Sequence, residues 1–375
     1  MSKITSIFVA ALAAFASRAD AVEVASCAEF AAVDRRVETE VTITNPDIAC
    51  DQYTRLSIRT PMVLKSTVGK VHFSNFALKV YESLTVEPDV VFTGVTKVTK
   101  NGGALKVELD AECIFQGTAE FADNWIIATD IDKATEEEQL HKGGAIHNKG
   151  KLTFEKDATF TGNVNDSLYN GSGPGGAISV HVKGSVHFMG KLTMDGNIAD
   201  DYWGGAEGGA IYNKGDIVVE GEAIFNMNVA GRGGAIFQQK WATFVFNDFA
   251  SFTSNRCLDT YGGAVANIGG DLTFNAGSLF DGSVADNSGD GGNGGAIFSY
   301  NGGVITFAGS TTFSNNVARW GGAIFNSNIE NPWYPVEDYK IPVITYPDDT
   351  VFSGNMAEFC DDFAADFDEE TCGIA

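Results

Sequence analysis

Two short motifs alternate down most of this chain, and a chain built that way has few folds open to it. The first is Gly-Gly-Ala followed by Ile, Leu or Val. It begins at Gly102, Gly143, Gly175, Gly208, Gly233, Gly262, Gly294 and Gly321. The second is a twelve-residue block such as LTFEKDATFTGN from Leu152. Its other full copies begin at Cys113, Val186, Ile217, Phe244, Leu272, Ile305 and Ile344. A relative without the glycines, LTVEPDVVFTGV, begins at Leu84. Block starts lie 27 to 39 residues apart, a solenoid spacing. A propeller blade would need roughly 40–50 residues.

Inside the block, positions 1 and 3 are apolar around a position 2 that is often Thr. That alternation marks a strand with one face inward. Turn residues follow, then an aromatic at position 9 (Phe121, Phe160, Phe225, Phe252, Phe280, Phe313, Phe352). Asn ends every full block but one, where Ser283 stands. Gly-Gly-Ala-Ile starts another strand. Each unit therefore predicts three short strands, none able to bury its face alone. Stacked units pair each strand with its equivalents, about 4.8 Å away. Phe then stacks on Phe, and Asn on Asn in a hydrogen-bonded ladder. The glycines suit a corner that needs positive φ or close backbone approach. The expected fold is all-β, a right-handed parallel β-helix of about nine coils, capped at both ends.

The motif pair spans Gly102 to Asn355. It resembles the repeats of the polymorphic outer membrane protein family, whose chlamydial members are surface adhesins. The resemblance implies passenger-like binding at a surface or after secretion. It does not extend to the C-terminal membrane barrel of autotransporter members, because about twenty residues follow Asn355 and they are acidic.

The first 21 residues read as a secretory signal: Lys3, an apolar run to Ala16, and Ala19-Asp20-Ala21 for cleavage. Residues 22–83 read as a cap with imperfect first coils, 84–358 as the β-helix, and 359–375 as an acidic cap or tail. No later stretch is apolar enough to span a membrane. The formal charge is −24, from 49 acidic and 25 basic residues, which disfavours nucleic acid and anionic membranes as partners. A secreted or cell-surface location is expected, with extracellular glycans or surface proteins as partners. In such a compartment the six cysteines predict disulfides Cys27–Cys50 and Cys360–Cys372. Cys113 takes an inward strand position, and Cys257 follows Asn255 outside the three strands. Separated by several coils, the two are expected not to bond. Asn165-Asp-Ser167 and Asn170-Gly-Ser172 are sequons that place glycans on surface loops.

Connections from each block to the next Gly-Gly-Ala run 18, 11, 10, 4, 6, 10 and 4 residues. The rest of the unit is nearly constant in length, so these loops should share one edge. Loops on a rigid scaffold are where binding concentrates. Trp203 and Trp320 lie in them, and Trp333 and Tyr334 in a separate insertion; all four are candidates for stacking on sugars. Their commoner fate is to cover the core. The residue after the Gly-Gly-Ala isoleucine should face outward, making Tyr212, Phe237, Phe298 and Phe325 a candidate exposed strip. Shielding by a neighbouring loop is the competing reading.

No pattern singles out a catalytic or metal site. The rival function is a polysaccharide-acting enzyme (lyase, epimerase or hydrolase) on the same scaffold, using Asp200-Asp201 with Arg232, or His181 with His187. No cofactor is expected. The best case for calcium, GDGGNGG at 289–295, is one copy where a calcium repeat needs tandem copies.

Overall fold

The computed structural model describes residues 21–33, 39–97, 102–128, 142–167, 173–201, 205–286, 291–327 and 340–364. The signal segment, Trp203, Trp333, Tyr334, Asn170 and Cys372 lie outside them. The protein is all-β, and every strand pairing is parallel and joins a residue to its equivalent in the neighbouring coil. This is a parallel β-helix.

A coil has four strands, one more than the sequence pattern suggests. The coil from Gly143 shows them in chain order. Face I is Ile146–Asn148, face II Lys151–Phe154, face III Ala158–Thr161 and face IV Val164–Ser167. Face IV follows the block-ending Asn, in the stretch read as loop. Its strands stack from Thr96–Lys97 to Met356–Phe359 as a 9-stranded sheet. The signal is weak because some of its strands are only two residues long, as at Val229–Ala230 and Arg256–Cys257. Faces I and III merge at the N-terminal end through two long strands, Asp47–Ile58 and Val71–Val80. In the second, Val71 to Ser74 pair with face III and Leu78 to Val80 with face I. Asn75, at φ 54°, makes the bend between them. The first coils therefore have no fourth side.

The interior is filled by like on like. Phe92, Phe121 and Phe160 stack in face III, with centroids 5.2 and 5.0 Å apart. Phe115, Phe154 and Phe188 stack in face II at 5.0 Å. The two columns meet edge-on, as Phe154 does Phe160 at 6.0 Å and 87°. Such stacking adds about 0.5–1.5 kcal/mol per pair beyond area burial. Met194 and Val219 interrupt the columns, and Phe225 and Phe246 resume them.

The Asn column runs as predicted. Asn163 donates Nδ2–H to Asn197 Oδ1 (2.9 Å) and to the Phe121 carbonyl (2.8 Å), and its backbone N–H to the same Oδ1 (3.1 Å). Asn124, Asn197, Asn228 and Asn316 repeat the arrangement. All are fully buried. Each column Asn follows a residue in the left-handed region, such as Gly162 (φ 60°) or Asp123 (φ 52°).

The two glycines of the corner have different reasons. Gly143 has φ 69°, and a Cβ there would lie 1.8 Å from the Ile146 carbonyl oxygen. Gly144 has an ordinary φ, but its Cβ would fall 2.1 Å from the carbonyl oxygen of Gly176 in the next coil and 2.7 Å from that of Val164 on face IV. The first glycine turns the chain; the second lets face IV lie against the corner.

At the N-terminal end α1 (Cys27–Ala32) covers the first coil. Ser26 Oγ accepts the Glu29 N–H at 3.3 Å and Glu29 accepts the Ala25 N–H at 2.7 Å, a reciprocal cap. Phe30 packs edge-on to Phe73 and Phe76. The disulfide Cys27–Cys50 ties the helix down. Cys360 is disulfide-bonded as well.

Cys113 and Cys257 are free and buried. Cys257 lies in a face IV strand, not outside the strands. It sits in an inward column of small residues, between Ala230 and Ala285, where the nearby corner backbone leaves room for little more.

Candidate binding surface

The variable connections all join face IV to the Gly-Gly-Ala corner. One edge of the solenoid therefore carries the unequal connections between coils, as the lengths predicted; the separate insertion leaves from the corner between faces I and II, between Asn326 and Val343. Along that edge residues just before the Gly-Gly-Ala corners pair with their equivalents: Glu207 with Arg232, Tyr261 with Asn293, and Asn293 with Trp320. The loops begin and end on fixed points whatever their length.

Face I is flanked by this edge. The residues after the isoleucine do form one outward column: Lys106, His147, Ser179, Tyr212, Phe237, Ala266, Phe298 and Phe325. The apolar ones, from Tyr212 to Phe325, belong to clusters separate from the core. The expected exposed strip is not exposed: Tyr212, Phe237, Phe298 and Phe325 are each 4% accessible or less. Neighbouring columns close over them. Tyr261, from the loop edge, stacks on Phe298 at 4.3 Å and also packs against the cluster of Tyr212, Phe237 and Ala266. Small Ala266 leaves the space that Tyr261 fills. Trp320 is half-buried and stacks on Phe359 at 4.2 Å.

The N-terminal part of the column is basic. Glu108 accepts from both Lys79 (2.9 Å) and Lys106 (2.8 Å). These two hydrogen bonds and charges hold its carboxyl below the usual range against its own burial. His147 is buried, and neither ring nitrogen has a hydrogen-bond partner among the described residues. Burial, then the positive neighbours Lys106, Lys142, Lys149 and His181, push its pKa well below the ordinary value.

Asn165 is also fully buried, with Nδ2 donating to the Pro174 carbonyl at 3.1 Å. This corrects its placement on a surface loop: face IV turns it inward, between Ile126 and Ala199, where an attached glycan does not fit.

The residues considered for catalysis are not brought together as a site. Asp200 aligns with Asp166 on face IV. Desolvation and then the Asp200 charge raise the Asp166 pKa. The Arg232 guanidinium lies 3.7 Å from both Glu207 and Asp259 instead. His187 meets Glu220 at 3.1 Å on face II, while His181 sits at the corner after face I. Among the described residues no group of three His, Cys, Asp or Glu could hold a metal.

Sequence reasoning passed over Trp241, which is 80% accessible. It stands at the corner between faces I and II with φ 66°, a conformation costing an L-residue roughly 1–2 kcal/mol. Lys240 Nζ lies 4.9 Å from its ring centre. The one signal available was position: in the next coil Gly269 bends there (φ 82°). Also missed was a second buried amide column at the end of face I. Asn148, Asn213, Gln238 and Asn267 bond to carbonyls of the turn into face II, as Asn213 does to Thr243 at 3.0 Å.

Residues 310–327 match the Chlamydia polymorphic membrane protein repeat. They hold the end of one block and the Gly-Gly-Ala strand after it. The chain thus carries this family's repeat, and the same pair recurs in register at each coil from Gly102. No curated protein and no solved structure matches the chain. No helix among the described residues is long and apolar enough to cross a membrane.

Proposed function

We propose that this protein is a secreted or cell-surface, non-enzymatic β-helix that mediates adhesion or contact with extracellular glycans. One observation carries the reading. A scaffold locked by amide ladders and ring stacks carries the unequal connections between its successive coils along a single edge. Rigid support with local variation is the usual build of a recognition surface. The family of the matched repeat supports a surface location. The N-terminal leader-like segment supports secretion, and the Cys27–Cys50 disulfide fits an oxidising compartment.

The test is binding of the full chain to a glycan array and to cell surfaces, beside an activity screen on alginate and pectin. Saturable binding with both polymers left intact supports the proposal. Depolymerisation or epimerisation of either would establish the enzyme in its place.

A further inference from the structure

In a chain with twice as many acids as bases, a file of lysines without acidic partners is a feature to explain. The described lysines Lys65, Lys70, Lys79, Lys106 and Lys191 each hold a carboxylate within 3.0 Å. Lys149, Lys183, Lys214 and Lys240 form no ion pair among the described residues. All four occupy the same corner, between faces I and II, in four successive coils. The corner is stacked in register: Ser185 N–H meets the Gly150 carbonyl, Asp216 N–H that of Gly184, and Thr243 N–H that of Gly215. Lys151 adds a fifth cation at the start of face II, again without an ion pair among the described residues. The Asp216 carboxylate beside them accepts instead from Thr243 Oγ1 at 2.7 Å.

Trp241 closes the file. A glycine could make this bend without strain, yet Trp241 holds φ 66° with four-fifths of its surface in water. Strain that returns little beyond the Lys240 ammonium at its ring marks a side chain kept for contact with something else.

We propose that this ridge binds an acidic polysaccharide, one bearing a carboxylate or sulfate on most of its sugars, laid parallel to the helix axis. This rests on the glycan-contact reading above and names the glycan class and its site. One lysine at this corner in each coil, with successive coils about 4.8 Å apart, presents one cation per step of an extended sugar chain. Trp241 supplies a flat apolar face for a ring at the end of the file. The single-file arrangement argues for a thread over a membrane. A continuous anionic plane would also face exposed acids of face II beside the ridge, such as Glu112, Asp216 and Asp271, whereas a thread meets the ridge alone, and charges beyond about 8 Å are screened.

The experiment measures binding of the full chain to polygalacturonate, dextran sulfate, neutral dextran, and phosphatidylcholine vesicles containing one-third phosphatidylserine. Binding to a charged polymer that weakens with salt is expected, with none to dextran. The quadruple variant K149Q/K183Q/K214Q/K240Q should lose about tenfold or more in affinity. The same four positions changed to Arg should keep it, and Trp241→Ala should lose several-fold. Lys70→Gln with Lys191→Gln, off the ridge, should change nothing, and unchanged melting of each variant confirms folding. Binding to charged or uncharged glycans that the glutamine variant does not alter overturns the ridge and leaves glycan contact standing. Binding to no glycan at all overturns both. Vesicle binding that the glutamine variant abolishes, without polymer binding, assigns the ridge to a membrane and overturns the proposal.

Discussion

Ser283 donates its backbone N–H to Asn316 Oδ1 at 3.0 Å, but its own hydroxyl is fully buried and meets no hydrogen-bond partner among the described residues. It is the one break in the amide column between Asn124 and Asn355. Ser283→Asn would offer Oδ1 to Asn255 and Nδ2–H to Asn316, as at every other coil. With a net gain of about 1 kcal/mol per hydrogen bond, stability should rise by about 1–2 kcal/mol. A urea midpoint that does not move would show that the pocket has settled around serine. The reverse change, Asn197→Ala, strips Asn163 of its acceptor and the Phe160 carbonyl of its donor. It should cost about 3–5 kcal/mol.

Met227 occupies the bend before the column Asn with φ 51° and half its surface exposed. Gly162, Gly196, Gly282 and Gly354 serve the same bend in other coils, with φ from 60° to 64°. Relief of backbone strain outweighs the added freedom of the unfolded chain. Met227→Gly should therefore stabilise by about 0.5–1 kcal/mol, read as a higher denaturant midpoint at an unchanged slope.

His147 should make the fold acid-sensitive. Its folded pKa is depressed, by burial first and by Lys106, Lys142, Lys149 and His181 after that. Above about pH 6.5 both folded and unfolded forms are neutral, so the group contributes nothing. Below it the unfolded chain takes a proton that the folded chain refuses. Stability then falls with pH by up to roughly 1.4 kcal/mol per unit from this group. His147→Phe, matching Phe237 in the same column, should lose less stability between pH 7 and pH 5 than the wild type. Equal losses would assign the acid sensitivity elsewhere.

Neither free thiol should react in the folded protein. Burial pushes the Cys257 thiol up to about 11 and Cys113 further up. Cys257 Sγ also donates to the Gly231 carbonyl at 2.9 Å. Native protein with iodoacetamide at pH 8 should gain no label by mass, and two labels after unfolding without reductant. Labelling of native Cys257 would mean that face IV opens.

The core was legible because its chemistry repeats. One Phe is weak evidence, but Phe121, Phe160, Phe225, Phe252 and Phe313 at one offset specify a stack, and the Asn after each specifies a ladder. Face IV was illegible for the opposite reason. Its inward column holds Asn165, Ala199, Ala230, Cys257 and Ala285, residues too small and mixed to read as a strand core. The outward column on face I shows a different limit. Alternation correctly turned Tyr212 and Phe298 away from the core. It could not say that Tyr261, arriving from a loop of another length, would lie over them. Trp241 escaped notice because a lone residue between motifs belongs to no repeat.

Each loop leaves a face IV strand and returns to a glycine corner, and both ends are pinned by bonds to the coils on either side. The gap to be spanned stays the same whether two residues cross it, as after Ala230, or fourteen, as after Ala128. Insertions and deletions there do not disturb the packed interior. The chain can thus change what it displays, coil by coil, while its architecture stays still.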